Sequence, residues 1–300
     1  MPTTLLAGGS GLIGSRLAAM LREQGHSVRL LSRHAHGAGE YAWDPAKGVL
    51  DDAALEGVDY IINLAGAGIA DRRWTASRKR ELIESRVQST RVLVQALQRS
   101  GLRPKAWVSA SAIGFYGNSG EQIMQETDTP VDRSFMVHCC EQWENVVDEA
   151  AALGIRTVKL RIGVVLAKEG GALAEFVKPL RFGLGAYFGN GKAWYSWIHH
   201  DDVCRAFIWA LDHPEVSGVW NAVAPHPVRN KALVQAIARA MRQPALIVPA
   251  PAFVMRLMFG EMSAVILNSN NISAEKIQQA GFQFQYPDLD GALQAIFKNE

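Results

Sequence analysis

Thr3-Thr4-Leu5-Leu6-Ala7-Gly8-Gly9-Ser10-Gly11-Leu12-Ile13-Gly14 is a short apolar run that breaks into glycines, and an amphipathic stretch from Ser15 to Gln24 follows at once. The pattern predicts strand, tight turn, helix. Glycines at 8, 11 and 14 form the G-x-x-G-x-x-G variant of a dinucleotide fingerprint. Gly8 permits the turn, Gly11 lets a pyrophosphate approach the backbone, and Gly14 lets the helix pack close to the strand. The opening amides and positive dipole end of the helix then hold phosphate. The cofactor contacts expected from this loop are Gly8, Ser10, Gly11, Leu12, Ile13 and Gly14. A Gly-rich turn in any α/β protein would share the glycines; the strand before and the helix after favour the binding reading.

The second strand, read over Ser27-Val28-Arg29-Leu30-Leu31, indicates which dinucleotide. An NAD site carries an acid about 20 residues past the glycines for the ribose 2′-hydroxyl. Here the chain has Ser32-Arg33-His34 instead. An acid would repel a 2′-phosphate, whereas Ser32 can donate a hydrogen bond to it and the Arg33 fork can bind it or stack on adenine. NADP(H) is therefore expected rather than NAD(H).

Composition narrows the classes. The 300 residues are 48% hydrophobic and 20% charged, with a net charge of +2 and both signs scattered. That describes a globular protein with a sizeable core and no nucleic-acid surface. No apolar run is long enough to span a membrane, and Met1-Pro2-Thr3-Thr4 lacks the basic start of a signal peptide. Three cysteines, two of them adjacent (Cys139 and Cys140), make no disulfide framework, and no Cys/His spacing suggests zinc. A cytoplasmic location and no metal are expected by default.

Strand and helix signals alternate through the first half. Val58 to Gly66, Lys105 to Ser111 and Thr157 to Arg161 read as strands, and Ala76–Ser100 and Met136–Leu153 as helices. The alternation implies an α/β fold, a Rossmann-type doubly wound parallel sheet, with a smaller C-terminal part on the substrate side. Glycines and aromatics crowd 170–197, a segment that is either a pocket wall or a packed, hairpin-like cover. His199-His200-Asp201-Asp202 precedes a helix expected over Val203–Leu211, with Asp201 or Asp202 as its cap.

The glycine fingerprint, Asn63-Leu64-Ala65-Gly66, Ser109-Ala110-Ser111, Tyr116-Gly117, Leu160-Arg161 and Trp197 to Asp202 occur in the order of the extended short-chain dehydrogenase/reductases. The chain resembles that group, and within it the YfcH-like branch of epimerase family proteins. Trp43-Asp44-Pro45, Arg73-Trp74, Ser85-Arg86, Gly189-Asn190-Gly191 and Gly260-Glu261 carry the closer likeness, as does the tail around Ala280–Pro287. The resemblance implies that Leu64, Ala65 and Gly66 line the cofactor, with Val164 and Val165 beside the nicotinamide. Arg86 either reaches a cofactor phosphate or lies on a solvated helix face. Glu81 either accepts from adenine or ribose or is likewise solvated. Residues 1–169 would form the NADP(H)-binding part, with 197–224 returning to it. Residues 170–300 would form the substrate-side part, including a module near 250–297. A homodimer through helices 76–100 and 136–153 is expected by the same analogy.

The catalytic pattern departs from the family. Typical members carry Tyr-x-x-x-Lys, in which the lysine and oxidised nicotinamide lower the tyrosine pKa so that the phenol shuttles a proton. Registered on Trp143-Glu144, this chain has Met136 and Cys140 at those places. The remaining catalytic candidates are Ser111 and Tyr116. Ser111 is either the family serine or a core hydroxyl, with Ala112 taking the serine place. Tyr116 is either a proton donor or a structural aromatic. Two functional classes follow: an NADP(H)-dependent oxidoreductase or epimerase-like enzyme for a small molecule, or a non-catalytic NADPH-binding sensor.

Overall fold

The computed structural model describes residues 1–298. Eight strands form the central sheet: β1 (Thr3–Ala7), β2 (Ser27–Ser32), β3 (Glu40–Asp44), β4 (Val49–Leu50), β5 (Tyr60–Asn63), β6 (Ala106–Ala112), β7 (Thr157–Ile162) and β8 (Gly218–Ala222). Their order is β8-β7-β6-β5-β1-β2-β3-β4, parallel except where β4 runs against β3. Sheet order reverses between β1 and β5, which opens a crevice at the carboxyl ends of the strands. The α/β Rossmann-type class expected from the glycine turn and the alternation is the fold observed.

Helices cover both faces: α1 (Leu12–Glu23), α2 (Ala76–Ser100), α3 (Phe135–Ala151), α4 (Gly171–Leu180), α5 (His200–Asp212) and α6 (Asn230–Ala240). Thr75 caps α2 by accepting from the Arg78 amide, and Gly101 ends it in the left-handed region at φ 70°. Asn63 shortens the strand expected to run on to Gly66, because its Oδ1 accepts the Ala65 amide at 3.1 Å and turns the chain. All six residues of β7 are buried, Lys159 and Arg161 among them. Both meet acids from α3: Lys159 Nζ lies 2.7 Å from Asp148, and Arg161 pairs with Glu144 at 2.8 and 2.9 Å. The i, i+4 spacing of the acids matches the i, i+2 spacing of the bases, so one helix face zips onto one strand face.

A second core gathers Leu173, Phe176 and Leu180 of α4, Leu233 and Ile237 of α6, and Leu293 of the C-terminal helix Leu289–Phe297. Of the two readings of 170–197, the hairpin-like cover is corrected: Leu184–Phe188 pairs in parallel with Leu246–Ala250, 62 residues downstream in register. Among the described residues no helix is long and apolar enough to cross a membrane.

His199-His200-Asp201-Asp202 joins the two parts. The helix cap is His199, whose Nδ1 accepts from the Asp201 amide at 3.1 Å, not either aspartate as expected. Its ring lies 3.9 Å from that of Tyr286, centroid to centroid. His200 Nε2 bonds the Leu12 carbonyl at 2.7 Å, and Asp201 holds Arg16 at 2.8 Å. Asp202, fully buried, accepts the amides of Gln285 and Tyr286 at 2.8 and 2.9 Å. Burial pushes His199 from 6.5 down to about 4 by disfavouring the imidazolium. An imidazole with a lowered folded-state pKa contributes stability above 6.5, and that contribution is lost as pH falls from 6.5 through about 4, roughly 3 kcal/mol in full. Burial raises the Asp202 pKa, an effect of opposite sign. The variant His199→Asn, which keeps a cap acceptor, isolates the histidine. Urea midpoints measured between pH 7 and 4 should fall less steeply for His199→Asn than for the parent chain.

Candidate active site

The loops after β1, β2, β5, β6 and β7 meet at the carboxyl edge of the sheet. In the first, Gly8 sits at φ +80°, and a Cβ there would lie 2.8 Å from the Leu64 carbonyl carbon. A Cβ on Gly14 would lie 2.1 Å from the Gly8 oxygen, so α1 can start here only without a side chain. Gly11 is different: its φ is −77°, and a Cβ would meet only the Gly8 oxygen at 3.4 Å. No side chain caps α1, so its opening amides at Leu12, Ile13 and Gly14 remain available, with exposed Ser10 at the rim. This is a cradle for an anion.

Ser32 closes β2, and its Oγ accepts from the His34 amide at 3.1 Å, which leaves the hydroxyl proton to donate outward. Arg33 is exposed and has no hydrogen-bond or ion-pair partner among the described residues. On the other side of the crevice, Asn63 Nδ2 is anchored on Thr90, and Leu64, Ala65 and Gly66 run half-buried to exposed along the opening. Arg86 of α2 packs beneath them, and a Cβ on Gly66 would lie 3.0 Å from its Cγ and 3.1 Å from its Cζ. Its guanidinium is buried, bonds the carbonyls of Leu82 and Ala67, and faces Trp143 at 5.0 Å with no carboxylate partner. Burial without an acid holds its pKa below the usual arginine value. Glu81, half exposed, pairs with Arg78 at 2.7 Å. Val164 and Val165 lie in a short strand, Val164–Leu166, parallel to Trp197–His199.

The two catalytic candidates are placed in the core instead. Ser111 is 3% exposed and donates to Glu144 at 2.6 Å, so it completes the Glu144–Arg161 pair. Tyr116 is fully buried, donates to Asn221 Oδ1 at 2.7 Å, and burial pushes its pKa up to about 12. Each hydroxyl is committed to a neighbouring buried acceptor. Met136 and Cys140 do stack one turn apart on α3. They lie 3.2 Å (Met136 Cε) and 3.8 Å (Cys140 Sγ) from where a Gly114 Cβ would stand. Burial raises the Cys140 thiol far above its ordinary value, and Cys139 is raised likewise. Met136 also joins a small apolar cluster with Trp74, Ile69, Phe135, Phe259 and Met262.

Some organising residues carried no signal in the sequence. Arg78, 5% exposed, ties the loop after β5 to α2 through the Gly68 carbonyl and Glu81. The Arg16–Asp201 and His200–Leu12 contacts join residues more than 180 positions apart.

Residues 4–222 match the NAD dependent epimerase/dehydratase family, and residues 250–296 match a domain of unknown function, DUF1731. An epimerase family protein of Mycobacterium leprae is 36% identical over 291 residues, covering 96% of this chain and 93% of the relative. The Bacillus subtilis epimerase family protein YfhF is 35% identical over 295 residues, 97% of this chain and 96% of its own length. The crystal structure of human epimerase family protein SDR39U1 with NADPH superposes with a TM-score of 0.89 at 32% identity, over 99% of this chain and 100% of that one. A nucleoside-diphosphate sugar epimerase from Corynebacterium glutamicum gives a TM-score of 0.81 at 30% identity, over 99% of this chain and 58% of that one.

Tyr116 and Gly14 allow the structural assignments to be tested. Tyr116→Phe should cost about 1–2 kcal/mol of stability, because Asn221 loses a buried partner. Dinucleotide affinity should stay unchanged, as read by denaturant melts and a binding titration. Gly14→Ala should cost at least about 3 kcal/mol, since backbone meets backbone.

Proposed function

Because the chain belongs to the NAD dependent epimerase/dehydratase family, we propose that it is an NADP(H)-dependent oxidoreductase or epimerase-like enzyme for a small molecule. On this reading it works without the usual Tyr-x-x-x-Lys pair. The observation that carries the cofactor choice is Arg33, unpartnered at the carboxyl end of β2 beside an uncapped helix start, with no acid at that strand end. A 2′-phosphate supplies the charge that Arg33 lacks. The human relative crystallised with NADPH supports the same choice.

In this reading Gly8, Ser10, Gly11, Leu12, Ile13 and Gly14 hold the pyrophosphate, and Ser32 and Arg33 hold the 2′-phosphate. Leu64, Ala65 and Gly66 border the dinucleotide by backbone, and its negative charge offsets the buried guanidinium of Arg86. Glu81 keeps one carboxylate oxygen for a ribose or adenine donor. Val164 and Val165 flank the nicotinamide. Bound, the dinucleotide supplies or accepts a hydride. The side chains at Met136 and Cys140 add no proton transfer, and a placed acid–base group contributes about 10²–10⁴-fold.

That same pair favours a second reading, a non-catalytic NADPH-binding sensor on this fold. Incubation with NADPH and a panel of carbonyl compounds separates the two: cofactor oxidation supports the enzyme, and tight binding without turnover supports the sensor.

The cofactor choice has its own outcome. Arg33→Ala should weaken NADPH at least about tenfold, the worth of a charged hydrogen bond, and NADH less than about twofold. Equal losses would refute the 2′-phosphate role. Gly11→Ala should fold normally, since its Cβ would meet only the Gly8 oxygen, at 3.4 Å, yet lose NADPH in calorimetry.

A further inference from the structure

The parallel ribbon of Leu184–Phe188 and Leu246–Ala250 sends both chains out at the same end. One turns through Gly189-Asn190-Gly191, and the other enters Pro251 and α7 (Ala252–Phe259). Between them lies an open hollow of about 450 Å³, lined by Phe188, Asn190, Ala193, Ala252, Arg256 and Leu267. One wall is tightly held. The Phe188 amide donates to Asn230 Oδ1 at 2.6 Å, Gly189 to the Ala250 carbonyl at 2.9 Å, and Gly191 to the Phe188 carbonyl at 3.0 Å. Asn230 is fully buried, and its Nδ2 has no partner beside this turn. Asn190 Oδ1 takes the Lys192 amide at 2.9 Å, so its own amide nitrogen is left to donate.

The other wall is loosely held. Pro251 and Gly260, the latter at φ +59°, bracket α7, and Met255 is its one buried residue. Phe253, Leu257 and Met258 are 71%, 77% and 59% exposed. A helix with so little apolar burial belongs to the low-stability end of a fold and can shift over a ligand. The lining holds one cation, Arg256, and no acid. Arg256 has no hydrogen-bond or ion-pair partner among the described residues. One unpaired cation and the Asn190 amide donor beside the apolar side chains of Phe188, Ala193, Ala252 and Leu267, in an open hollow, match a ligand with one negative group and an apolar body.

We infer that this hollow is a binding site for a small apolar monoanion, a carboxylate on an aliphatic or aromatic body, with Arg256 taking the charge. The inference rests on the proposed function, because it supplies the substrate or effector side of that protein. It excludes a diphosphate as the preferred ligand, since a single guanidinium faces the space.

Calorimetry on the full chain tests it with acetate, butanoate, octanoate, 1-octanol and uridine diphosphate as probes. Octanoate should bind, with affinity rising up to about fourfold per methylene buried along the acid series. Arg256→Gln, a change at an exposed side chain, should weaken octanoate at least about tenfold and leave 1-octanol unchanged. Equal octanoate affinity in both proteins, no octanoate binding to the parent chain, no gain from acetate to octanoate, or tighter binding of uridine diphosphate would each overturn the assignment. NADPH titrated into the same samples keeps the two readings apart: its failure with octanoate binding intact removes the cofactor reading alone.

Discussion

The tightest glycine among the described residues is Gly14, where an added Cβ would lie 2.1 Å from the Gly8 carbonyl oxygen. Because nothing larger than hydrogen fits between them, α1 begins directly at the carboxyl edge of β1. The position of its first turn is then inherited by the rest of the molecule. The Leu12 carbonyl reaches His200, and Arg16, one turn further along, reaches Asp201. Asp202 is in the same turn of α5 and holds the amides of Gln285 and Tyr286. The first turn of α1 and the C-terminal segment around Gln285 and Tyr286 are thus tied to adjacent residues of one helix start.

A second constraint governs the other side of the crevice. Burying Arg161 and Lys159 in β7 is tolerable because Glu144 and Asp148 meet them at short range, and because Phe115 covers the Arg161 guanidinium at 3.3 Å. Glu144 still has acceptor capacity, and Ser111 fills it. Tyr116 also faces Arg161, with its ring 4.8 Å away and its hydroxyl on Asn221. Ser111 is thereby engaged with a buried charge and Tyr116 with a buried amide. Removing the Tyr116 hydroxyl would leave Asn221 Oδ1 without that partner, and removing the Ser111 hydroxyl would leave Glu144 to Arg161 alone, structural costs that would be mistaken for catalytic ones unless stability and binding are measured apart.

The sequence carried the fold well where the physics is local. The turn and helix after the glycines, the long helix Ala76–Ser100 and the buried strands follow from short-range sterics and burial, and they appear where expected. What was not legible depended on partners far along the chain. His199-His200-Asp201-Asp202 looked like an acidic helix cap, because the competing acceptors and donors (Leu12, Arg16, Gln285, Tyr286) lie more than 80 residues away. The segment after Phe182 read equally as a pocket wall or a local cover, because its strand partner, Leu246–Ala250, lies 62 residues further on. Ser111 and Tyr116 stood out as hydroxyls in a suggestive order, but composition cannot tell that Glu144 and Asn221 already occupy them.

These placements bound the chemistry open to the crevice. Moving a hydride to or from a carbonyl obliges a proton to follow, and neither Met136 nor Cys140 of α3 is a ready carrier for it. Met136 has no exchangeable proton, burial keeps the Cys140 thiol protonated, and Tyr116 at about 12 is both deprotonation-resistant and turned into the core. A hydride step at this crevice would therefore need its proton from a group other than these three side chains, whereas holding a dinucleotide would need none of them.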